Sequence, residues 1–147
     1  MNTRRLSAET VHASSVAIDG RAVLITGPSG AGKSDLTLRL LDRGFTLVSD
    51  DQTIVRREGD RLIASAPPSI AGRLEIRGIG IVDMETVDDV SVALLVELTS
   101  DIQRLPDDKR ERPLLGVALP LISIDAMAAS AASKVALALD RLGLPAK

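Results

Sequence analysis

The chain is 147 residues long, carries 18 basic against 20 acidic side chains for a net charge of −2, and contains no cysteine. Apolar residues at 45% and charged residues at 26% are ordinary globular usage, with length enough for one buried core and no means of making a disulfide or a thiolate metal site. A single Phe with no Trp or Tyr gives no stacking platform for nucleic acid, no apolar run approaches the roughly 20 residues of a bilayer span, and residues 1–10 lack the apolar segment of a signal peptide. One domain over residues 1–147 is expected, in the cytoplasm, with neither nucleic acid nor a membrane as partner.

Val11 to Ile18 alternates loosely and predicts a first strand, and Asp19-Gly20 predicts a tight hairpin turn into a second strand over Ala22–Ile25. Gly27-Pro28-Ser29-Gly30-Ala31-Gly32-Lys33-Ser34 follows, a complete G-x-x-x-x-G-K-S run between an apolar strand and an amphipathic helix. That context is the one a phosphate-binding loop requires. Glycines let consecutive N–H groups turn toward phosphate oxygens, and the helix N-terminus adds a dipole favourable to the same anion. Lys33 reaches the β/γ-phosphates in such a loop, and the Ser34 hydroxyl faces Mg²⁺. A nucleotide or another polyphosphate is therefore the expected ligand of residues 27–34.

The loop's helix is predicted over Lys33–Arg43, with Leu36, Leu40 and Leu41 on one face and Gly44 as its stop. Phe45–Val48 reads as a short buried strand running into Ser49-Asp50-Asp51, and Thr53–Arg57 with Arg61–Ser65 as a hairpin about Glu58-Gly59-Asp60. Leu74–Ile76 and Ile79–Val82 read as strand pieces around Gly78, Val92–Leu98 as an apolar strand, and Leu114–Leu119 and Leu121–Ile124 as two more. Pro67-Pro68 and the Pro106 to Pro113 segment are loop signals, and an alanine-rich amphipathic helix closes the chain over Met127–Leu142. About eight strands against two helices is too strand-rich for a doubly wound kinase and points to a mostly antiparallel or mixed sheet.

Phosphoryl transfer needs carboxylates for Mg²⁺ and for handling the nucleophile's proton. Three predicted strands end in an acid, at Asp50-Asp51, Glu97 and Asp125. Asp50-Asp51 leads, because its strand directly follows the loop's helix and is expected beside the phosphate-loop strand. Glu97 and Asp125 read as structural, with Glu97 in reserve. In Leu74-Glu75-Ile76-Arg77-Gly78-Ile79-Gly80-Ile81-Val82-Asp83, Glu75 and Arg77 stand two apart and are expected on one face of a strand, either as a surface ion pair or as site residues. The run Asp107-Asp108-Lys109-Arg110-Glu111-Arg112 reads as a solvated charged loop, or as a surface for docking a protein substrate.

The phosphate loop, Asp50-Asp51 and the LEIRGIGIVD decapeptide together resemble the catalytic domain of HPr kinase/phosphorylase, from about Val11 to Ile124. That resemblance implies an α/β (mixed α+β) fold, the P-loop fold of the phosphoenolpyruvate carboxykinase-like type, with a mixed sheet and few helices. It implies an ATP- and Mg²⁺-dependent protein-serine kinase acting on the phosphocarrier protein HPr, with reverse phosphorolysis, assembled as a hexamer. By position it implies Lys33 on phosphate, Asp51 exchanging the serine proton, His12 beside it, Arg104 as the later-loop arginine, and Ser34, Glu75 and Asp50 around magnesium. Two departures stand out. The additional N-terminal domain of the longer members is expected to be absent, and the family's Pro-Gly-Arg-Asn element before the last helix corresponds here to Asp125-Ala126-Met127-Ala128-Ala129-Ser130. A small-molecule kinase and a nucleotide-sensing module without turnover are the alternative readings.

Overall fold

The structure is a computed structural model and describes residues 7–101 and 110–146. In chain order the described elements are β1 (Ala8–Val11), β2 (Ala13–Ile18), β3 (Arg21–Thr26), α1 (Lys33–Asp42), β4 (Thr46–Ser49), β5 (Thr53–Glu58) and β6 (Arg61–Ser65). There follow β7 (Arg73–Ile76), β8 (Gly80–Asp83), β9 (Val90–Leu98), β10 (Glu111–Leu114), β11 (Val117–Ile124) and α2 (Ala131–Leu142). Nine strands form one mixed sheet in the order β1-β5-β6-β9-β3-β2-β4, with β11 also on β9 and β10 on β11, while β7 and β8 make a separate hairpin. A mixed sheet with few helices is the expected class.

Strand β9 is the spine. Its first residues pair antiparallel with β6, its last four pair parallel with β11, and its other edge runs parallel to β3. Such a strand is covered on both faces, which explains the unbroken Val92–Val96 apolar run. Leu94 and Val96 join Val23, Ile25, Leu36, Leu40, Val135 and Leu139 under the two helices. Leu95 and Leu24 face the other way and pack with Val55, Leu62 and Leu119. The sheet curls to close this second core, and Ser15 and Thr53, on unpaired strands, meet hydroxyl to hydroxyl at 2.8 Å. Each fully buried Leu or Ile contributes about 1.5–3 kcal/mol, so both faces of β9 anchor the fold.

The Asp19-Gly20 turn forms as predicted, both residues at positive φ (53° and 75°), as a two-residue hairpin between twisted strands demands. Helix α1 buries Leu36 and Leu40 and ends at Gly44 (φ 97°), whose N–H donates to the Leu41 carbonyl. Other boundaries differ from the sequence reading. The predicted Val11–Ile18 strand is broken at His12, where the chain passes from an edge beside β5 to a central place beside β3. Leu114–Leu119 is interrupted by a turn at Leu115-Gly116 (φ 49° and 81°), so β10 and β11 are a hairpin and Leu121–Ile124 continues β11. Pro113, read as a loop signal, lies within β10 opposite Ala118, on a strand that among the described residues pairs with β11 alone. The last helix starts at Ala131 rather than Met127. The Asp125 carboxylate accepts the Met127 N–H at 2.9 Å, and turns at Ala128 and Ala131 use the next amides.

One difference bears on the site. Strand β4 is not beside the phosphate-loop strand. Its partner is β2, antiparallel, and β2 in turn pairs with β3. The acid-ended neighbour of β3 is β9, with Glu97 opposite Thr26.

Candidate active site

The carboxyl ends of β3, β4, β9 and β11 and the start of β2 lie along one end of the sheet, so the loops leaving them share a rim. The phosphate loop leaves β3 at Thr26. Within it the Ala31 N–H donates to the Pro28 carbonyl at 3.0 Å, and Gly30 and Gly32 hold positive φ (83° and 101°). Gly32 is the N-cap of α1, and among the described residues no side chain caps that end, which leaves the first-turn amides without a side-chain acceptor there. Those donors and the helix dipole suit a phosphate anion. Lys33 is buried, and its Nζ donates to the Gly27 and Pro28 carbonyls at 2.8 and 3.3 Å, folding the ammonium back across the loop.

The turn before α2 braces this loop. Arg39 of α1 donates from Nη1 to the Ala128 carbonyl at 3.2 Å and from Nη2 to the Ala126 carbonyl, and it pairs with Asp35 at 3.0 Å. Ala126 is thereby pressed on Gly32, whose absent Cβ would stand 2.9 Å from the Ala126 Cβ.

Asp50 and Asp51 follow β4, beyond a register shift in its pairing with β2. The Gln52 N–H closes on the Asp50 carbonyl at 2.7 Å, with Asp51 between them at φ 64°. This three-residue turn with positive central φ is rare and strained. It delivers the Asp51 carboxylate to His12, whose Nε2 is 2.9 Å from Asp51 Oδ1, and both side chains are more than half exposed. Ser14, fully buried, accepts the Asp51 N–H at 2.9 Å and donates to Asp50 Oδ1 at 3.4 Å. Asp50 Oδ2 accepts the backbone N–H of Glu75 at 3.0 Å, which ties the β7–β8 hairpin to the acidic turn. That hairpin lies against α1.

His12, Asp50, Asp51 and the Glu75 backbone are thus connected, and Lys33 and Ser34 stand at the start of the helix on which the Glu75 hairpin packs. Arg77 is not on the strand with Glu75 as expected. It sits in the turn closed by the Ile79 N–H to the Ile76 carbonyl, with Gly78 at φ 89°. Arg104 lies outside the described residues, as do Asp107, Asp108 and Lys109. Across β3, Glu97 accepts from Arg112 at 2.9 Å and from Ser123 at 3.2 Å and lies 3.6 Å from Arg110. The Arg112 hydrogen bond, outweighing partial burial, holds the Glu97 carboxyl below its usual range. Sequence reasoning passed over Ser14. Its signal was the Ser14-Ser15 pair inside an otherwise apolar strand, where one hydroxyl faces Thr53 and the other the acids.

Among the described residues no three His, Asp or Glu side chains gather closely enough to hold a metal ion. Mg²⁺ keeps several waters and uses one or two carboxylates plus phosphates, so a Ser hydroxyl and one or two acids are a fitting donor set for a Mg-nucleotide.

A Gly-rich loop at a strand–helix junction, a buried lysine folded over it and an acid–imidazole pair along the same rim define a P-loop domain built on a mixed sheet. The family described as HPr Serine kinase C-terminal domain matches residues 4–139, and the chain belongs to that family. It is 39% identical over 127 residues to the HPr kinase/phosphorylase of Chlorobium limicola, covering 77% of this chain and 38% of that protein. To the HPr kinase/phosphorylase of Limosilactobacillus reuteri it is 36% identical over 129 residues, covering 79% and 40%. The chain therefore spans about two-fifths of the length of these relatives. The solved structure of the Hpr(Ser) kinase/phosphatase from Coxiella burnetii superposes with a TM-score of 0.77 at 34% identity, over 90% of this chain and 88% of that one.

Proposed function

We propose that this chain transfers the γ-phosphoryl group of ATP to a serine of the phosphocarrier protein HPr. The observation that carries the reading is the His12–Asp51 contact at 2.9 Å on the rim that also bears the phosphate loop. Residues 27–34 hold the polyphosphate through loop amides, the α1 N-terminus and Lys33, which moves a donor from the Gly27 or Pro28 carbonyl onto phosphate. Ser34, Glu75 and the remaining lone pairs of Asp50 would hold Mg²⁺. Bound there, the ion supplies charge neutralisation of the β/γ-phosphates.

Asp51 is the base. His12 occupies Oδ1 and orients the carboxylate, leaving Oδ2 for the substrate hydroxyl. The serine oxygen forms the new bond to phosphorus, the bond to the β-phosphate oxygen breaks, ADP leaves, and the serine proton ends on Asp51. Arg104 is assigned to the transferring phosphoryl group on its sequence position alone. A hexamer in the cytoplasm belongs to the same proposal, with sedimentation velocity as its check. Incubation with HPr, Mg²⁺ and labelled ATP, followed by mass spectrometry, tests the reaction. Label on one HPr serine is expected; label on histidine, or none on HPr, overturns the assignment.

A further inference from the structure

We infer that Ser14 is a positioning residue for proton transfer, acting through the backbone of Asp51; this rests on Asp51 being the base proposed above. Ser14 lies on the β2 face that otherwise packs under the helices through Val16, and it is fully buried. A hydroxyl in that place needs both a donor and an acceptor to offset its desolvation. It has both, and both belong to the acidic turn. Its Oγ accepts the Asp51 N–H at 2.9 Å and donates to Asp50 Oδ1 at 3.4 Å.

The Asp51 backbone is the strained point of the site. Its φ of 64° at the centre of a three-residue turn is a conformation that persists only when the surroundings impose it. Two contacts do so. Ser49 Oγ bonds the Gln52 carbonyl at 2.5 Å and fixes the exit, while Ser14 fixes the amide of Asp51 itself. Ser49 sits on the same element as the turn. Ser14 sits on β2, the strand paired with the phosphate-loop strand β3, with Ser14 itself opposite Ile25. It is therefore the hydrogen bond that sets the carboxylate relative to the bound phosphates.

The phosphate-loop donors are untouched by this arrangement, and its one link to the proposed Mg²⁺ set is the long 3.4 Å bond to Asp50, so the expected signature is a split between turnover and binding. In Ser14→Ala, kcat for HPr phosphorylation falls about 10–100-fold, the scale of a small misplacement of a reacting group, while ATP affinity by calorimetry stays within about two-fold. The same substitution in an Asp51→Asn background lowers the residual rate by less than about two-fold, because the group it positions is gone. Should Ser14→Ala fail to fold, Ser14→Cys, with similar size and weak hydrogen bonding, is read in the same way. A folded, nucleotide-binding Ser14 variant that turns over at the wild-type rate overturns the inference, as does an equal loss in both backgrounds. Full turnover by Asp51→Asn alone would instead refute the base assignment.

Discussion

Gly32 is blocked twice, and the two obstacles can be separated. Its φ of 101° is a conformation that costs an L-residue about 1–2 kcal/mol. An alanine methyl there would also stand 2.9 Å from the Ala126 Cβ, well inside the roughly 3.5–4.0 Å at which carbon atoms pack. Ala126 cannot easily yield, because Arg39 holds the Ala126 and Ala128 carbonyls against α1. Overpacking of this kind adds about 1–3 kcal/mol. Gly30 provides the control: its φ is 83°, and a Cβ there meets none of the described residues within 4 Å. Gly30→Ala should therefore cost about 1–2 kcal/mol and Gly32→Ala about 2–5 kcal/mol. At about 2–4 °C per kcal/mol for a chain of this size, thermal midpoints fall by roughly 2–8 °C and 4–20 °C. The decisive measurement is a double-mutant cycle with Ala126→Gly, read by calorimetry without nucleotide. The added glycine should restore about 1–3 kcal/mol to Gly32→Ala and nothing to Gly30→Ala. Equal losses at the two glycines, or no coupling to residue 126, would show that the turn before α2 does not brace the loop.

Under the proposed function Lys33→Ala removes a donor to phosphate in ground and transition states alike, so ATP affinity should fall about 10–100-fold by calorimetry, in line with the loss of charged hydrogen bonds; unchanged affinity would place the phosphates elsewhere. Glu97 has its folded carboxyl below the usual value near 4.3, so its stabilisation is complete above that pH and is lost as pH falls through the lower folded value. The gap in thermal midpoint between wild type and Glu97→Gln should hold steady above about pH 5 and shrink toward pH 3; a gap that widens in acid would mean that Glu97 is not held by Arg112. The resemblance associates the Pro-Gly-Arg-Asn element with the phosphorolytic reaction, and the corresponding Asp125 to Ser130 offers no arginine to bind the attacking phosphate and an aspartate that repels it, so phosphorolysis of serine-phosphorylated HPr should be slow and require high phosphate. Pyrophosphate release at a rate comparable to the forward reaction would refute this, and Asp125→Asn should speed it.

What the sequence made legible is what is decided within a few residues. The Asp19-Gly20 turn, the phosphate loop and helix α1 each carry their own chemistry: positive-φ residues, a glycine pattern, and Leu36 with Leu40 one turn apart. Turns embedded in apolar or alanine-rich runs were hidden. Leu115 adopts φ 49° inside an apolar run that reads as strand, and Met127 to Ala129 read as helix although the Asp125 side chain takes the Met127 amide. Strand order was out of reach for a different reason. Which strand lies beside β3 depends on pairings between segments far apart in sequence, and periodicity says nothing about partners. Ser14 was missed on the same ground, since its partners lie 36 and 37 residues away.

The strand order also explains where the acids went. In a sheet that winds parallel strands outward from the phosphate-loop strand, the acid for phosphoryl chemistry sits at the end of the adjacent parallel strand. Here that strand is β9, and its terminal acid, Glu97, is already held by Arg112 and Ser123 with Arg110 close by. Inserting β2 antiparallel between β3 and β4 supplies a second flank, on which β4 again points its carboxyl end toward the loop. Asp50 and Asp51 arrive from that flank, and so does His12 at the start of β2. The two flanks then differ in kind. On one, a carboxylate is tied into guanidinium groups; on the other, the Asp51 side chain is 57% exposed and, among the described residues, its carboxylate meets an imidazole alone. Under the proposed function, the serine of HPr reaches Asp51 from the β2–β4 side, where that carboxylate is exposed.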